Sequence, residues 1–331
     1  MTPCRHQNRR GASRLASGVQ ARSLGKRYGS QWALQDLDLD VPFGSVLGLL
    51  GHNGAGKTTT IRMLTTLTAP STGHAWVAGF DVVDDPKRVR AHIGVTGQGS
   101  TVDALLTGRA NLEMIGRLYH LPRRIARERA QELLDRFDLE GASDRLVREY
   151  SGGMRRRLDL AASLIGSPAV IFLDEPTTGL DPRSRVEFWG GLDQLVADGT
   201  TLLLTSQYLD EVDRIADSVV VLDHGRVVGA GTPAELKSRL GRDRIEVTVT
   251  SAEALDRAAV VLADRFLGRP ETDHEGLTVS ATVSAGTRFV DVVRALDAEE
   301  VELSDVRRRE PTLDDVFMAL TERQPQTETV W

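Results

Sequence analysis

Residues 51–58 read GHNGAGKT, which fits the spacing G-x-x-x-x-G-K-[ST]. Glycines let successive backbone N–H groups curl around an oxyanion. Lys57 supplies a point charge for terminal phosphates. The Thr58 hydroxyl is a Mg²⁺ ligand of the right hardness. A helix starting at that point aims its positive end at the anion. The candidate phosphate-binding residues are therefore Gly51, His52, Asn53, Gly54, Ala55, Gly56, Lys57, Thr58 and Thr59. A Gly-rich strand–helix turn without a ligand is the plainer alternative. The flanks argue against it, because the apolar FGSVLGLLG precedes the pattern and the helical TTTIRMLTTL follows it.

A second set of chemical groups lies at 169–176, AVIFLDEP. A carboxylate at the tip of a buried strand can hold Mg²⁺ through water, a role for Asp174. Glu175 can orient or deprotonate an attacking water. Two adjacent acids can also be no more than a solvated turn. Upstream, YSGGMRRRLDLAA (150–162) opens a helix with Ser151, Gly152 and Gly153, a second anion-binding arrangement that is weak by itself. In TLLLTSQYLD (201–210), an apolar strand ends on Ser206 and Gln207. The Gln207 amide can donate an N–H but carries no proton or charge near neutral pH. Strand ends are often merely solvated, so the pattern by itself gives Gln207 no role.

The elements that must position these groups alternate. FGSVLGLLG, AVIFLDEP and TLLLTS are apolar runs that read as strands buried on both faces. Helical segments separate them, and SVVVLDHGRVVGAG reads as a hairpin, with His224 a turn residue. That order predicts an α/β domain with a largely parallel core. Near Gly241 the character changes. IEVTVT, LTVSATV and VELSDVRRR alternate apolar and polar residues, which predicts a second, small α+β domain over about 243–322. Residues 1–17 read as a flexible basic tail and 323–331 as a polar tail. The terminal EPTLDDVFMALT predicts an amphipathic helix with Leu313, Val316, Phe317 and Leu320 on one face.

Composition narrows the function. The chain has 331 residues, 40% hydrophobic and 27% charged, with a formal net charge of −6. That balance argues against a nucleic-acid partner, which calls for clustered excess Lys and Arg. No apolar run approaches the roughly 20 residues that cross a bilayer. One cysteine, Cys4, fits a reducing compartment.

Taken in order, the phosphate loop, the glutamine of IGVTGQ (Gln98), SGGMRRR, FLDEP, TGLDP and the short switch resemble an ATP-binding cassette (ABC) ATPase. The resemblance covers about residues 18–240, with a helical subdomain at about 100–165. It implies a RecA-like P-loop NTPase core with an antiparallel β subdomain, and ATP and Mg²⁺ as cofactors. It implies that Tyr28 stacks on adenine and that Gln98 senses Mg²⁺ and reaches the transporter. It makes Ser151–Gly153 the signature, places Asp181 in a dimer-contact loop, and puts Gln207 where most members carry a γ-phosphate-sensing histidine. Met154 stands where the signature's fourth residue is usually Gln, and His52 where Pro is common. With one loop and one signature per chain, the resemblance implies a homodimer sandwiching ATP. TSQYLDEVDRIAD and EPTLDDVFMALT are further similar to ATPase subunits of daunorubicin-type drug-resistance exporters. The implied role is export of a hydrophobic molecule through a separate multi-span permease, from the cytoplasmic face of the membrane, with no metal beyond Mg²⁺. A soluble ABC protein acting on nucleic acid or ribosomes, and an importer ATPase, are the competing classes.

Overall fold

A computed structural model describes residues 17–97, 101–206, 208–240, 244–265, 270–283, 287–309 and 311–321. Residues 1–16 of the expected tail at 1–17, the expected tail at 323–331, Gln98 and Gln207 lie outside the described residues, while Ser17 belongs to the first strand and not to a tail. Two compact units divide between Thr232 and Pro233.

In the first unit the strands are β1 (Ser17–Tyr28), β2 (Gln31–Pro42), β3 (Val46–Leu50), β4 (Thr72–Val77), β5 (Phe80–Asp81), β6 (Ile93–Thr96), β7 (Val170–Asp174), β8 (Thr201–Ser206), β9 (Ser218–Asp223) and β10 (Arg226–Gly231). Its helices are α1 (Lys57–Leu64), α2 (Pro86–Ala91), α3 (Gly108–Leu118), α4 (Arg123–Arg136), α5 (Gly152–Leu164), α6 (Pro182–Ala197) and α7 (Leu209–Ile215).

The central sheet runs β10-β9-β3-β8-β7-β6. Its β9-β3-β8-β7-β6 pairs are parallel, and β10 closes one edge antiparallel to β9. Every residue of β3, β7 and β8 is buried, the outcome expected of apolar runs covered on both faces. Sequence order reverses around β3, which has β8 on one side and β9 on the other. Open parallel sheets bind ligands beyond the carboxyl ends of the strands at such a switch point. The phosphate loop leaves β3 there, Asp174 ends β7, and Ser206 ends β8.

A second sheet, β2-β1-β4-β5, is antiparallel throughout, as the resemblance implied. Helices α3, α4 and α5 pack against one another and form the helical part. No helix among the described residues is long and apolar enough to cross a membrane.

The second unit contains α8 (Pro233–Leu240), β11 (Arg244–Val249), α9 (Ala252–Arg265), β12 (Glu271–Asp273), β13 (Thr278–Thr282), α10 (Phe289–Asp297), β14 (Leu303–Arg309) and α11 (Leu313–Thr321). Its sheet runs β12-β13-β11-β14, all antiparallel. Inward residues such as Ile245, Val247 and Val279 meet Leu255, Leu262 and Leu296 in one apolar core. Helix α11 buries Leu313 and Val316 and packs on α8. That packing explains why α8 groups with the second unit, although the change in residue pattern comes later, near Gly241. Burial of Leu236 marks the inner face of α8.

Candidate functional site

The phosphate loop is a rigid turn because its glycines adopt conformations closed to other residues. Gly54 and Gly56 have φ of 87° and 109°. A Cβ on Gly56 would also lie 2.7 Å from the Ala33 carbonyl oxygen. Backbone bonds fix the loop from behind: Gly225 N–H donates to Ala55 O (3.1 Å) and Gln35 N–H to Gly225 O (2.7 Å). Lys57 begins α1 and is nearly enclosed. Its ammonium donates to Gly51 O (2.6 Å) and His52 O (3.2 Å). It also lies 3.6 Å from Glu175 Oε1. His52, Asn53, Gly54, Gly56, Lys57, Thr58, Thr59 and Glu175 line one open cleft of about 330 Å³.

The acids enter this cleft from β7. Thr58 Oγ1 donates to Asp174 Oδ1 (3.3 Å), and Asp174 is buried. Glu175 follows with φ of 48°, a left-handed backbone that costs a non-glycine residue about 1–3 kcal/mol. The neighbours hold it there. Glu175 N–H donates to Thr205 Oγ1 (2.9 Å), and the Arg156 guanidinium donates to Glu175 O (3.2 Å). A basic group, two carboxylates, a hydroxyl and a glycine-rich backbone thus converge on one cleft. The arrangement can hold a polyphosphate chain and present a carboxylate to water beside it.

The comparisons with known proteins agree. The family model described as "ABC transporter" matches residues 34–178. That described as "ATP-binding protein DrrA1-3-like, C-terminal domain" matches 231–321. The chain is 54% identical to a daunorubicin resistance ATP-binding protein, DrrA2, of Streptomyces coeruleorubidus, over 92% of this chain and 94% of that one. The chain belongs to the ABC transporter ATP-binding family.

The cassette is also 46% identical to the daunorubicin/doxorubicin resistance ATP-binding protein DrrA of Streptomyces peucetius, over 92% of each chain. A solved ATP-binding subunit of an ABC transporter matches with TM-score 0.61 and 28% identity, covering 67% of this chain and 93% of that one. As a member of this family the cassette binds and hydrolyses ATP, and its hydrolysis is coupled to transport.

Tyr28, Ser151, Gly152, Gly153 and Asp181 do not line that cleft. Tyr28 ends β1 with half its surface exposed, and Lys26 Nζ sits 5.2 Å from its ring centre. Ser151 caps α5, accepting from Met154 N–H (3.2 Å). Gly152 has open space where a Cβ would stand, whereas a Cβ on Gly153 would lie 2.4 Å from Ser184 Oγ. The N-terminus of α5 therefore meets α6 closely at Gly153 and is open at Gly152. Asp181 caps α6, accepting from Ser184 N–H (3.0 Å) and Ser184 Oγ (2.6 Å). Those two bonds hold its carboxyl below the usual carboxylate range.

Two residues in the cassette emerge from the geometry alone. Thr205 Oγ1 donates to Asp174 Oδ1 (2.7 Å) while accepting from Glu175 N–H, so one hydroxyl fixes both acids. Arg156, on α5, donates to Gly97 O (2.8 Å), Pro176 O (2.5 Å) and Glu175 O. It ties the ends of β6 and β7 together. Burial pushes its pKa down, and the charges of Asp159 and Asp174 oppose that shift. Thr205→Val keeps the branched shape and removes the hydroxyl. It removes a donor from the buried Asp174 carboxylate and the acceptor of Glu175 N–H, an expected loss of about 1–3 kcal/mol in a denaturant melt, with slower hydrolysis. A variant that melts and turns over like the parent would show that the hydroxyl fixes nothing.

Proposed function

We propose that this cassette energises export of a hydrophobic, drug-like small molecule through a separate multi-span permease, from the cytoplasmic face of the membrane. The carrying observation is the identity of 54% across both units to an ATP-binding protein named for daunorubicin resistance. A relative named for Nod factor export, from Ralstonia nicotianae, is 38% identical over 92% of this chain, which favours export over import. The C-terminal match at 231–321 favours the same group.

The site residues take these roles in the reading. Backbone N–H groups of 51–59 and Lys57 hold the phosphates, and exposed Tyr28 offers its face to adenine. Thr58 and Asp174 are an all-oxygen pair that suits Mg²⁺ and would hold it. When bound, Mg²⁺ neutralises charge on the β- and γ-phosphates. Glu175 orients the attacking water and accepts its proton. Gln207 senses the γ-phosphate through its amide, and Gln98 relays the nucleotide state to the permease. The open N-terminus of α5 at Ser151–Gly153 caps ATP held by a second copy, with Asp181 at that interface. ATP contacts made only in the closed homodimer shift the population closed, and hydrolysis removes them.

Co-purification from detergent-solubilised membranes of the native host tests this reading. A hydrophobic multi-span protein should come down with the cassette, and the drug-like cargo should raise ATP hydrolysis by the complex. Recovery with ribosomes or nucleic acid instead would overturn it.

A further inference from the structure

We propose that His52, Asp223 and His224 form a binding site for a divalent transition ion of the Zn²⁺ class, on the flank of the phosphate loop. Their ligand atoms all lie within 4.8 Å of one another. His52 Nε2 is 2.9 Å and His224 Nε2 3.8 Å from the same oxygen, Asp223 Oδ1. Two imidazoles and a carboxylate are a usual zinc donor set, and tetrahedral ligands about 2 Å from the ion stand roughly 3.3 Å apart. The two measured separations bracket that figure.

Hydrogen bonding at His52 calls for a cation. Its Nδ1 is 2.7 Å from Asn53 O, a carbonyl that can only accept, so Nδ1 carries the proton. Its Nε2 then faces a carboxylate oxygen that also accepts. A neutral ring has one N–H for these two acceptors, so a positive centre belongs between Nε2 and Asp223. A second proton on His52 would also satisfy that contact, and the His224 ring then only packs against His52, with ring centres 5.0 Å apart. A metal ion uses all three, and the Nδ1–H bond to a backbone carbonyl is the orienting contact that metal-bound histidines usually make.

The framework is built before any ion binds. Asp223 pairs with Arg226 across the β9–β10 hairpin, leaving His224–Gly225 as its two-residue turn. Both have positive φ, 44° and 76°, the geometry that favours Asn-Gly or Asp-Gly. A histidine is thus placed where Asn or Asp would serve the turn better. The Gly225 bonds to Ala55 O and from Gln35 N–H hold turn and loop in register. Asp223 is buried and His224 is exposed, so one ligand is fixed and one can swing in. The site adds a second class of metal to the Mg²⁺ expected from sequence, and bound zinc would staple loop to hairpin.

The test is a zinc titration of the full chain without nucleotide, read by calorimetry and by the visible absorption of Co²⁺ in zinc's place. His224→Asn and His224→Asp both suit the turn, but only Asp returns an anionic ligand. Zinc affinity should fall at least about tenfold in His224→Asn, with loss of the Co²⁺ bands. In His224→Asp the site should persist. Equal zinc affinity in the parent and His224→Asn would overturn the proposal, as would a parent chain that binds no zinc at submillimolar concentration.

Discussion

Replacing Glu175 by Gln should reduce ATP hydrolysis by about 10²–10⁴-fold, the usual share of a general base. The change is nearly isosteric. The left-handed backbone stays held, because its bonds to Thr205 and Arg156 use main-chain N–H and C=O groups. What disappears is the proton acceptor and the negative charge 3.6 Å from Lys57 Nζ. ATP affinity should therefore be kept or raised, since Lys57 no longer divides its charge between carboxylate and phosphate. Gln207 cannot supply the base in its place, because an amide side chain accepts no proton near neutral pH. The variant should accumulate as an ATP-dependent dimer, seen as an earlier elution in size-exclusion chromatography. Undiminished phosphate release would remove Glu175 from the reaction.

Lys57→Ala should weaken ATP binding by about 10- to 100-fold, the equivalent of one or two charge-assisted bonds. The loss has two parts. The phosphates lose a cation, and Glu175 loses the ammonium that balances its charge in an enclosed place. The Gly51 and His52 carbonyls also lose a shared donor, so the loop holds its curl less firmly. A nucleotide titration reads the affinity, and circular dichroism confirms that the sheet is intact. Unchanged affinity in a folded variant would show that Lys57 does not meet the phosphates.

The phosphate loop and the Asp174–Glu175 pair were legible in the sequence because their chemistry is local. Glycine spacing, a lysine and a strand-to-helix switch sit within a few residues. The parallel core was legible for a similar reason, since strands covered on both faces are apolar without interruption. Thr205 was not legible. Inside TLLLTS a threonine looks like an ordinary β-branched strand residue. Its hydroxyl acquires meaning through the register that sets Asp174 opposite Thr205, across 31 residues of chain. Arg156 was hidden among three consecutive arginines, and no local pattern says which one reaches three carbonyls. His224 read as a hairpin-turn residue, which it is, but its convergence with His52 depends on β9 lying beside β3. The grouping of α8 with the second unit was equally silent, because it rests on packing against α11 near the end of the chain.

The place of β3 between β8 and β9 also orders events in time. Val46 pairs with Leu202 and Leu50 with Val221, so the strand that launches the phosphate loop finds its neighbours more than 150 residues later. Closing loops of that length costs entropy that no local contact returns at once. On the ribosome, the nucleotide-binding loop is thus translated early and assembled late, after β9 has emerged. ATP stabilises the finished sheet and cannot act as a template for an unfinished one, since a ligand favours the state that already has its site. Until then the apolar faces of β3 stay uncovered, which makes the wait between residue 50 and residue 221 the vulnerable interval in the making of this chain.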